Sequence, residues 1–365
     1  MSETFVIMAG GTGGHVFPGL AVADELTAAG YRVEWLGTQA GIESRLVPDA
    51  GYTLHCLPVS GVRGLGVVTL LKAPLMITRS VYNAWKLLRK LRPVAVMGFG
   101  GFAAGPGAVA ARLLGKPLIL HEQNSVLGTT NGLLQYVASR RLEGFPNTFT
   151  RRRNTYLTGN PVRADIAAMP ADKQHSHEGS LNILVVGGSR GARALNENLP
   201  LLLKQASRNS ATAVSVCHQS GEQELASTRE RYEALDCDLQ FEVCAFLDNM
   251  AERYNWADIV VCRAGAMTVA ELTAAGKPSL LVPFPYAIDD HQTENARWLA
   301  DHSAGVLVPQ SELLNETTIA RLAALLESPQ KRSAMAECAK QLAILDSASR
   351  VAQHCTELTQ SGSVS

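Results

Sequence analysis

The sequence predicts an α/β protein of two similar domains, each built on a parallel sheet, and three observations carry that prediction. A glycine loop, Gly10-Gly11-Thr12-Gly13-Gly14, directly follows the apolar run Phe5-Val6-Ile7, and a second, Gly187-Gly188-Ser189-Arg190-Gly191, directly follows Ile183-Leu184-Val185-Val186. Each reads as a buried strand ending in a tight turn that opens a helix, where glycine lets the backbone approach a ligand and early N–H groups favour an anion. The loops lie about half a chain apart, and 365 residues suffice for two cores. Apolar runs and helical periodicities alternate throughout, the pattern of parallel sheets covered by helices and facing a ligand cleft at their carboxyl ends.

In chain order, further strand-like runs are Arg32 to Leu36, Val94 to Met97, Pro117 to Leu120, Ala213 to Val216, Ile259 to Cys262 and Ser279 to Val282. Helices fit between them at Pro18 to Ala29, Leu75 to Leu91 with Pro74 at its start, Ala192 to Ala206, Gly221 to Ala234, Met267 to Ala275, Gln292 to Asp301 and Glu316 to Leu326. Gly159-Asn160-Pro161-Val162-Arg163 through Pro170 marks a boundary. It is followed by the polar, aperiodic Asp172 to Gly179, where His175 and His177 read as a solvated loop and not a metal site. The polar end Gln360 to Ser365 predicts disorder.

Composition excludes several classes. The apolar fraction is 46%, the charged fraction 18% and the net charge zero, which implies no nucleic-acid partner. Seven scattered cysteines form no C-x-x-C pair and read as buried thiols of a reducing compartment, the cytoplasm. Nothing at the N-terminus resembles a signal peptide. The uncharged runs 4–23 and 93–111 each hold five glycines and an internal proline, Pro18 or Pro106, which argues against a spanning helix. Charge is uneven, however. No acid stands between Asp49 and Glu122, and nine Lys and Arg fall in that gap. There Leu75, Val81, Trp85, Leu88 and Leu91 interleave with Arg79, Lys86, Arg89 and Lys90, a basic amphipathic helix suited to anionic lipid headgroups.

Candidate chemistry gathers at predicted strand ends. His15 follows the first glycines, where an imidazole could take a proton from a hydroxyl. His121-Glu122-Gln123-Asn124 closes an apolar run, as a ligand-facing loop or a polar turn would. Cys262-Arg263-Ala264-Gly265-Ala266-Met267-Thr268 opens a helix whose N–H groups could hold a diphosphate, with Glu271 one turn in for vicinal hydroxyls. Asp289 and Asp290 suggest a metal or, more often, a helix cap; Gln292 and Asn295 suit neutral sugar hydroxyls. A dinucleotide fingerprint fits only Gly98-Phe99-Gly100-Gly101-Phe102-Ala103, away from the first strand, so a dehydrogenase is disfavoured.

Taken together, Gly10 to His15, Gly100-Gly101-Phe102 with Gly105-Pro106-Gly107, His121 to Asn124, Gly159 to Arg163, Gly187 to Ser189, Cys262 to Ala266 and Asp290-His291-Gln292 resemble glycosyltransferase family 28 over nearly the whole chain. The resemblance implies a GT-B fold of two Rossmann-like domains: residues 1–163, joined by a C-terminal helix at about 342–358, for a membrane-facing acceptor domain, and 164–341 for a UDP-sugar-binding domain, with 359–365 a disordered tail. It implies inverting transfer of N-acetylglucosamine from UDP-N-acetylglucosamine to the 4-hydroxyl of the muramoyl sugar of lipid I, giving lipid II of peptidoglycan synthesis. Arg163, Ser189, Ala266, Met267, Thr268, Val269, Ala270 and Glu271 would contact the donor, a backbone group of Leu247 would read uracil, and Gln292 would hold the transferred sugar. Thr12, Gly13, Gly14 and Asn124 would line the opposite side, and the loops at 10–14 and 100–107 would surround the acceptor diphosphate.

His15 is then the first candidate for general base and Glu122 the second, with helix N-termini and Arg163 offsetting the leaving diphosphate and no cofactor or metal required. The basic amphipathic stretch would dock peripherally on the cytoplasmic face of the inner membrane, an anionic surface, where cell-wall synthesis proteins are further candidate partners. Phe102 stands where tyrosine is usual, Arg190 where glutamine is, and Ala270 where serine is common. Another GT-B UDP-sugar glycosyltransferase, a UDP-sugar epimerase, or a non-catalytic UDP-sugar-binding protein that docks on membranes are the alternatives.

Overall fold

The alternating apolar runs form two parallel sheets in a computed structural model that describes residues 2–58, 67–101, 103–170, 180–188, 191–208, 212–237 and 239–361, with the backbone alone at 67–73, 288 and 361. Phe102, the loop of His175 and His177, the Ser189–Arg190 pair and the end after residue 361 lie outside these residues.

The first sheet comprises β1 (Thr4–Ala9), β2 (Arg32–Gly37), β3 (Thr53–Cys56), β4 (Ala95–Gly100), β5 (Leu118–Glu122), β6 (Arg140–Glu143) and β7 (Thr155–Leu157). The second comprises β8 (Ser180–Val186), β9 (Ala213–Gln219), β10 (Gln240–Cys244), β11 (Ile259–Cys262), β12 (Ser279–Leu281) and β13 (Val306–Leu307). Strands run in the order β3-β2-β1-β4-β5-β6-β7 and β10-β9-β8-β11-β12-β13, so both sheets are Rossmann-like and turn outward from their first strand. In the first, Ile7 stands between Trp35 and Met97; in the second, Val185 stands between His218 and Val261.

Helices cover both. They are α1 (Gly13–Ala28), α2 (Glu43–Asp49), α3 (Val67–Leu91), α4 (Ala104–Leu113), α5 (Thr129–Leu134), α6 (Ala164–Ala167) and α7 (Arg193–Ser207), then α8 (Leu225–Glu233), α9 (Met250–Trp256), α10 (Ala266–Ala275), α11 (His291–Asp301), α12 (Glu316–Glu327), α13 (Pro329–Gln341) and α14 (Ser347–Ser361). The chain divides into two compact units, residues 1–163 with 344–365, and residues 164–343. The last helix therefore belongs to the first unit, where Val351, Ala352 and Cys355 join the core of Phe5, Ile7, Val22, Leu26, Trp35 and Met97. Arg140 of β6 fastens it by donating to the His354 carbonyl and the Glu357 carboxylate, both at 2.9 Å.

Several elements depart from the sequence reading. The helix after the first glycine loop starts at Gly13 and runs through Pro18, and α3 runs through Pro74 instead of starting there. Gly105-Pro106-Gly107 belongs to the first turns of α4, where a proline needs no N–H partner. A Cβ at Gly107 would stand 2.2 Å from Met8 Sδ, so these small residues let α4 lie directly on β1. The edge strands β3 and β10 were unforeseen because they are short and partly solvent-facing. Cys56 and Cys237 are exposed, against the expectation of uniformly buried thiols. Helix α14 continues to Ser361, so residues 359–361 are helical and not a disordered tail. Among the described residues no helix is long and apolar enough to cross a membrane.

Candidate functional site

The loops that carry the candidate residues sit at the carboxyl ends of β1, β4 and β5 in the first unit and of β8, β10, β11 and β12 in the second, the end where parallel sheets present ligand sites.

In the first unit, β1 ends at Ala9, whose carbonyl accepts the buried Trp35 indole N–H at 2.8 Å. The chain then turns through Gly10 and Gly11 into α1. Glu43, fully buried at the start of α2, accepts from Gly11 N at 2.9 Å through one oxygen and from Thr38 N and Oγ1, at 2.9 and 2.7 Å, through the other. A Cβ at Gly10 or Gly41 would fall 2.4 or 2.0 Å from that carboxylate. The loop after β4 approaches from the other side. Gly101 has φ +85°, and a Cβ there would stand 2.4 Å from Gly10 O, so backbone meets backbone.

His15 lies on this junction, half-buried, with Nδ1 3.2 Å from Gly10 O and Nε2 against Gly100. A carbonyl only accepts, so Nδ1 carries the proton and Nε2 is the basic nitrogen. Thr12 is exposed at the N-cap of α1, and Gly13 and Gly14 form its first turn. The Arg163 guanidinium lies over Phe17, one turn further, at 5.8 Å from the ring centre.

The segment at the end of β5 is more buried than a ligand-facing loop would be. His121 is fully buried, Nε2 donating to Gly159 O at 3.0 Å, and burial pushes its pKa down to about 4. Glu122 is 3% exposed and accepts four hydrogen bonds: from Asn124 N (3.1 Å) and Nδ2 (3.3 Å) on one oxygen, and from Gly128 N (3.1 Å) and Asn131 Nδ2 (2.9 Å) on the other. It folds residues 122–131 around itself and presents Asn124, which is half-buried.

In the second unit Gln219, at the end of β9, grips the glycine loop with both amide atoms. Its Oε1 accepts from Gly188 N at 3.2 Å, and its Nε2 donates to Gly188 O at 2.8 Å and Ala245 O at 3.4 Å. The glycine loop is thereby tied to the segment that carries Leu247, which is buried. After β11, Gly265 is the extended N-cap of α10; Ala266 and Val269 are buried while Met267, Thr268 and Ala270 are half-exposed. Glu271 accepts from the buried Tyr254 hydroxyl at 3.0 Å. Gln292 opens α11 and accepts from Phe284 N at 2.9 Å.

Asn295 does not reach outward: it is fully buried and donates to Ala264 O at 3.1 Å, joining α11 to the loop before α10. Asp290 accepts from Thr293 Oγ1 at 2.6 Å at the same helix start, and among the described residues no three His, Cys, Asp or Glu side chains are grouped to hold a metal. The structure thus collects Thr12, Gly13, Gly14, His15, Glu122, Asn124 and Arg163 in the first unit, and Leu247, Ala266 to Glu271 and Gln292 in the second. Ser189 lies outside the described residues. Glu43 and Gln219 escape a reading of the sequence, because each is a lone polar residue far along the chain from the loop it holds.

Two family models match, the glycosyltransferase family 28 N-terminal domain over residues 5–142 and the C-terminal domain over residues 182–351. A protein of Pseudomonas putida KT2440 named UDP-N-acetylglucosamine--N-acetylmuramyl-(pentapeptide) pyrophosphoryl-undecaprenol N-acetylglucosamine transferase is 49% identical over 356 residues, 98% of either chain. The equally named protein of Shewanella denitrificans is 45% identical over 361 residues, 99% of this chain and 98% of that one. The crystal structure of Acinetobacter baumannii MurG is similar at a TM-score of 0.83 and 39% identity, covering 98% and 99% of the two chains.

Proposed function

The chain belongs to glycosyltransferase family 28, and from that membership and its loop geometry we propose that it transfers N-acetylglucosamine from UDP-N-acetylglucosamine to the 4-hydroxyl of the muramoyl sugar of lipid I, forming lipid II in peptidoglycan synthesis. The full-length likeness to transferases of that name supports this over the epimerase and binding-protein readings. The second unit holds the donor: Leu247 reads the uracil, Ser189 and the N-terminus of α10 hold the diphosphate, Glu271 takes ribose hydroxyls and Gln292 the sugar. Arg163 adds a cation for the diphosphate. Thr12, Gly13, Gly14 and Asn124 of the first unit complete the substrate contacts, and the paired loops at Gly10 to Gly14 and after β4 take the acceptor diphosphate.

His15 is the base. The acceptor oxygen attacks the anomeric carbon from the face opposite the nucleotide, its proton passes to Nε2, and the bond to the UDP oxygen breaks with inversion. The leaving diphosphate is stabilised by backbone N–H groups at helix starts and by Arg163, with no metal ion required. Glu122 serves as a positioning residue, because its oxygens are engaged within its own loop. The observation that carries this assignment is the Nδ1 contact to Gly10 O, which selects the tautomer with a basic Nε2. Purified protein should release UDP only when a lipid I analogue is present. His15→Ala should lower kcat by about 10²–10⁴-fold while UDP-N-acetylglucosamine still binds. Full rates in His15→Ala would remove His15 as the base.

The protein also docks on the anionic cytoplasmic face of the inner membrane. Leu75, Met76, Ile77 and Tyr82 of α3 and Leu113 of α4 are exposed, among the exposed Arg79, Lys86, Arg89, Lys90 and Arg112.

A further inference from the structure

The loop after β12 carries two aromatic rings that the scheme above leaves unused. Tyr286 is 81% exposed, more than any other large apolar side chain among the described residues, and Phe284 is also exposed. Their rings meet edge to face, 5.6 Å apart. The backbone beneath them is held firmly. Arg263 donates to the carbonyls of Val282 and Pro283 at 3.1 Å each and to Gln310 Oε1 at 2.8 Å, and its guanidinium carbon lies 5.4 Å from the centre of the Phe284 ring. Phe284 N donates to Gln292 Oε1. The loop thus presents a surface of two aromatic rings, and its backbone at Phe284 is tied to the Gln292 amide at the start of α11.

A tyrosine this far out of the core touches Phe284 and adds nothing to the core itself. A pyranose matches such a surface: its hydroxyls ring the edge, while its axial C–H bonds form an apolar face that suits the negative face of an aromatic ring. We propose that Tyr286, backed by Phe284, stacks on the C–H face of the N-acetylglucosamine ring of the donor while Gln292 holds its hydroxyls. This rests on the donor assignment made above.

Titration calorimetry with UDP-N-acetylglucosamine and with UDP tests it, on wild type, Tyr286→Ala and Tyr286→Phe. Tyr286→Ala should weaken UDP-N-acetylglucosamine binding by about fivefold to tenfold and leave UDP binding unchanged, and Tyr286→Phe should restore the loss because the ring suffices. Equal weakening of UDP, or a rise confined to the KM for a lipid I analogue, would overturn the stacking. So would Tyr286→Ala binding the sugar nucleotide as wild type does. Wild type that binds no UDP-N-acetylglucosamine would overturn the donor assignment itself, and the stacking with it.

Discussion

Glu43 sits 32 residues from the glycine whose N–H it receives, yet it sets the shape of the first loop. Its two oxygens take three donors in a space bounded by Gly10, Gly37 and Gly41, so no rearranged side chain can substitute for it. Glu43→Gln points an amide N–H₂ at one backbone N–H, that of Gly11 or that of Thr38. It should cost about 1–3 kcal/mol in denaturant unfolding, the cost of a buried donor left unpaired, and lower kcat as His15 loses its support. Stability equal to wild type would show that the loop holds without it. The glycines, His15 and the polar residues 121–124 were legible from the sequence because they stand at or just past the ends of their strands. Glu43 and Gln219 were not, since the fold brings them to their loops from elsewhere. Glu122 was legible as important but not as buried, because four local donors enclose it only once residues 122–131 have turned around it.

At the scale of the elements, β5 and β9 each carry, as their next-to-last residue, a buried imidazole that ties neighbouring elements together. In β9, His218 donates from Nε2 to Asn196 of α7 at 3.1 Å and accepts at Nδ1 from Tyr232 of α8 at 3.0 Å, a pattern only the neutral ring can make. Asn196 Nδ2 is itself engaged with Ser220 O, which fixes its oxygen as the acceptor. Burial pushes the His218 pKa down to about 3 and that of His121 to about 4. Unfolded histidine titrates near pH 6.5, so the unfolded chain binds more protons below that pH and stability falls as the pH drops from about 6.5 toward 4. The thermal midpoint should be flat above pH 7 and fall steadily toward pH 5, with a shallower fall in His218→Gln. A midpoint unchanged between pH 7 and 5 would contradict the buried neutral pairs. Most central strands were legible as unbroken apolar runs. Helix α4 was not, because its alanines and glycines give no amphipathic stripe; it packs by close approach.

For the molecule as a whole, the first unit concentrates both the exposed apolar residues of α3 and α4 and the acid-free stretch between Asp49 and Glu122. The periodicity of residues 74–91 was legible, but its burial was divided unexpectedly: Ala84 and Leu88 enter the core while Leu75 is 75% exposed. Replacing Leu75, Ile77 and Tyr82 together by Gln should reduce co-sedimentation with phosphatidylglycerol vesicles by at least tenfold, at about 0.8 kcal/mol per buried methylene, and leave turnover of a short-chain soluble acceptor intact. Undiminished sedimentation would place the lipid contact elsewhere. The return of α14 to the first unit bears on how the protein is made. Val351 and Cys355 are fully buried against strands synthesised some 250 residues or more before them, whereas the second unit is one uninterrupted stretch. On the ribosome, the second unit can close its core while the first still waits for its last helix, so the domain begun first is finished last.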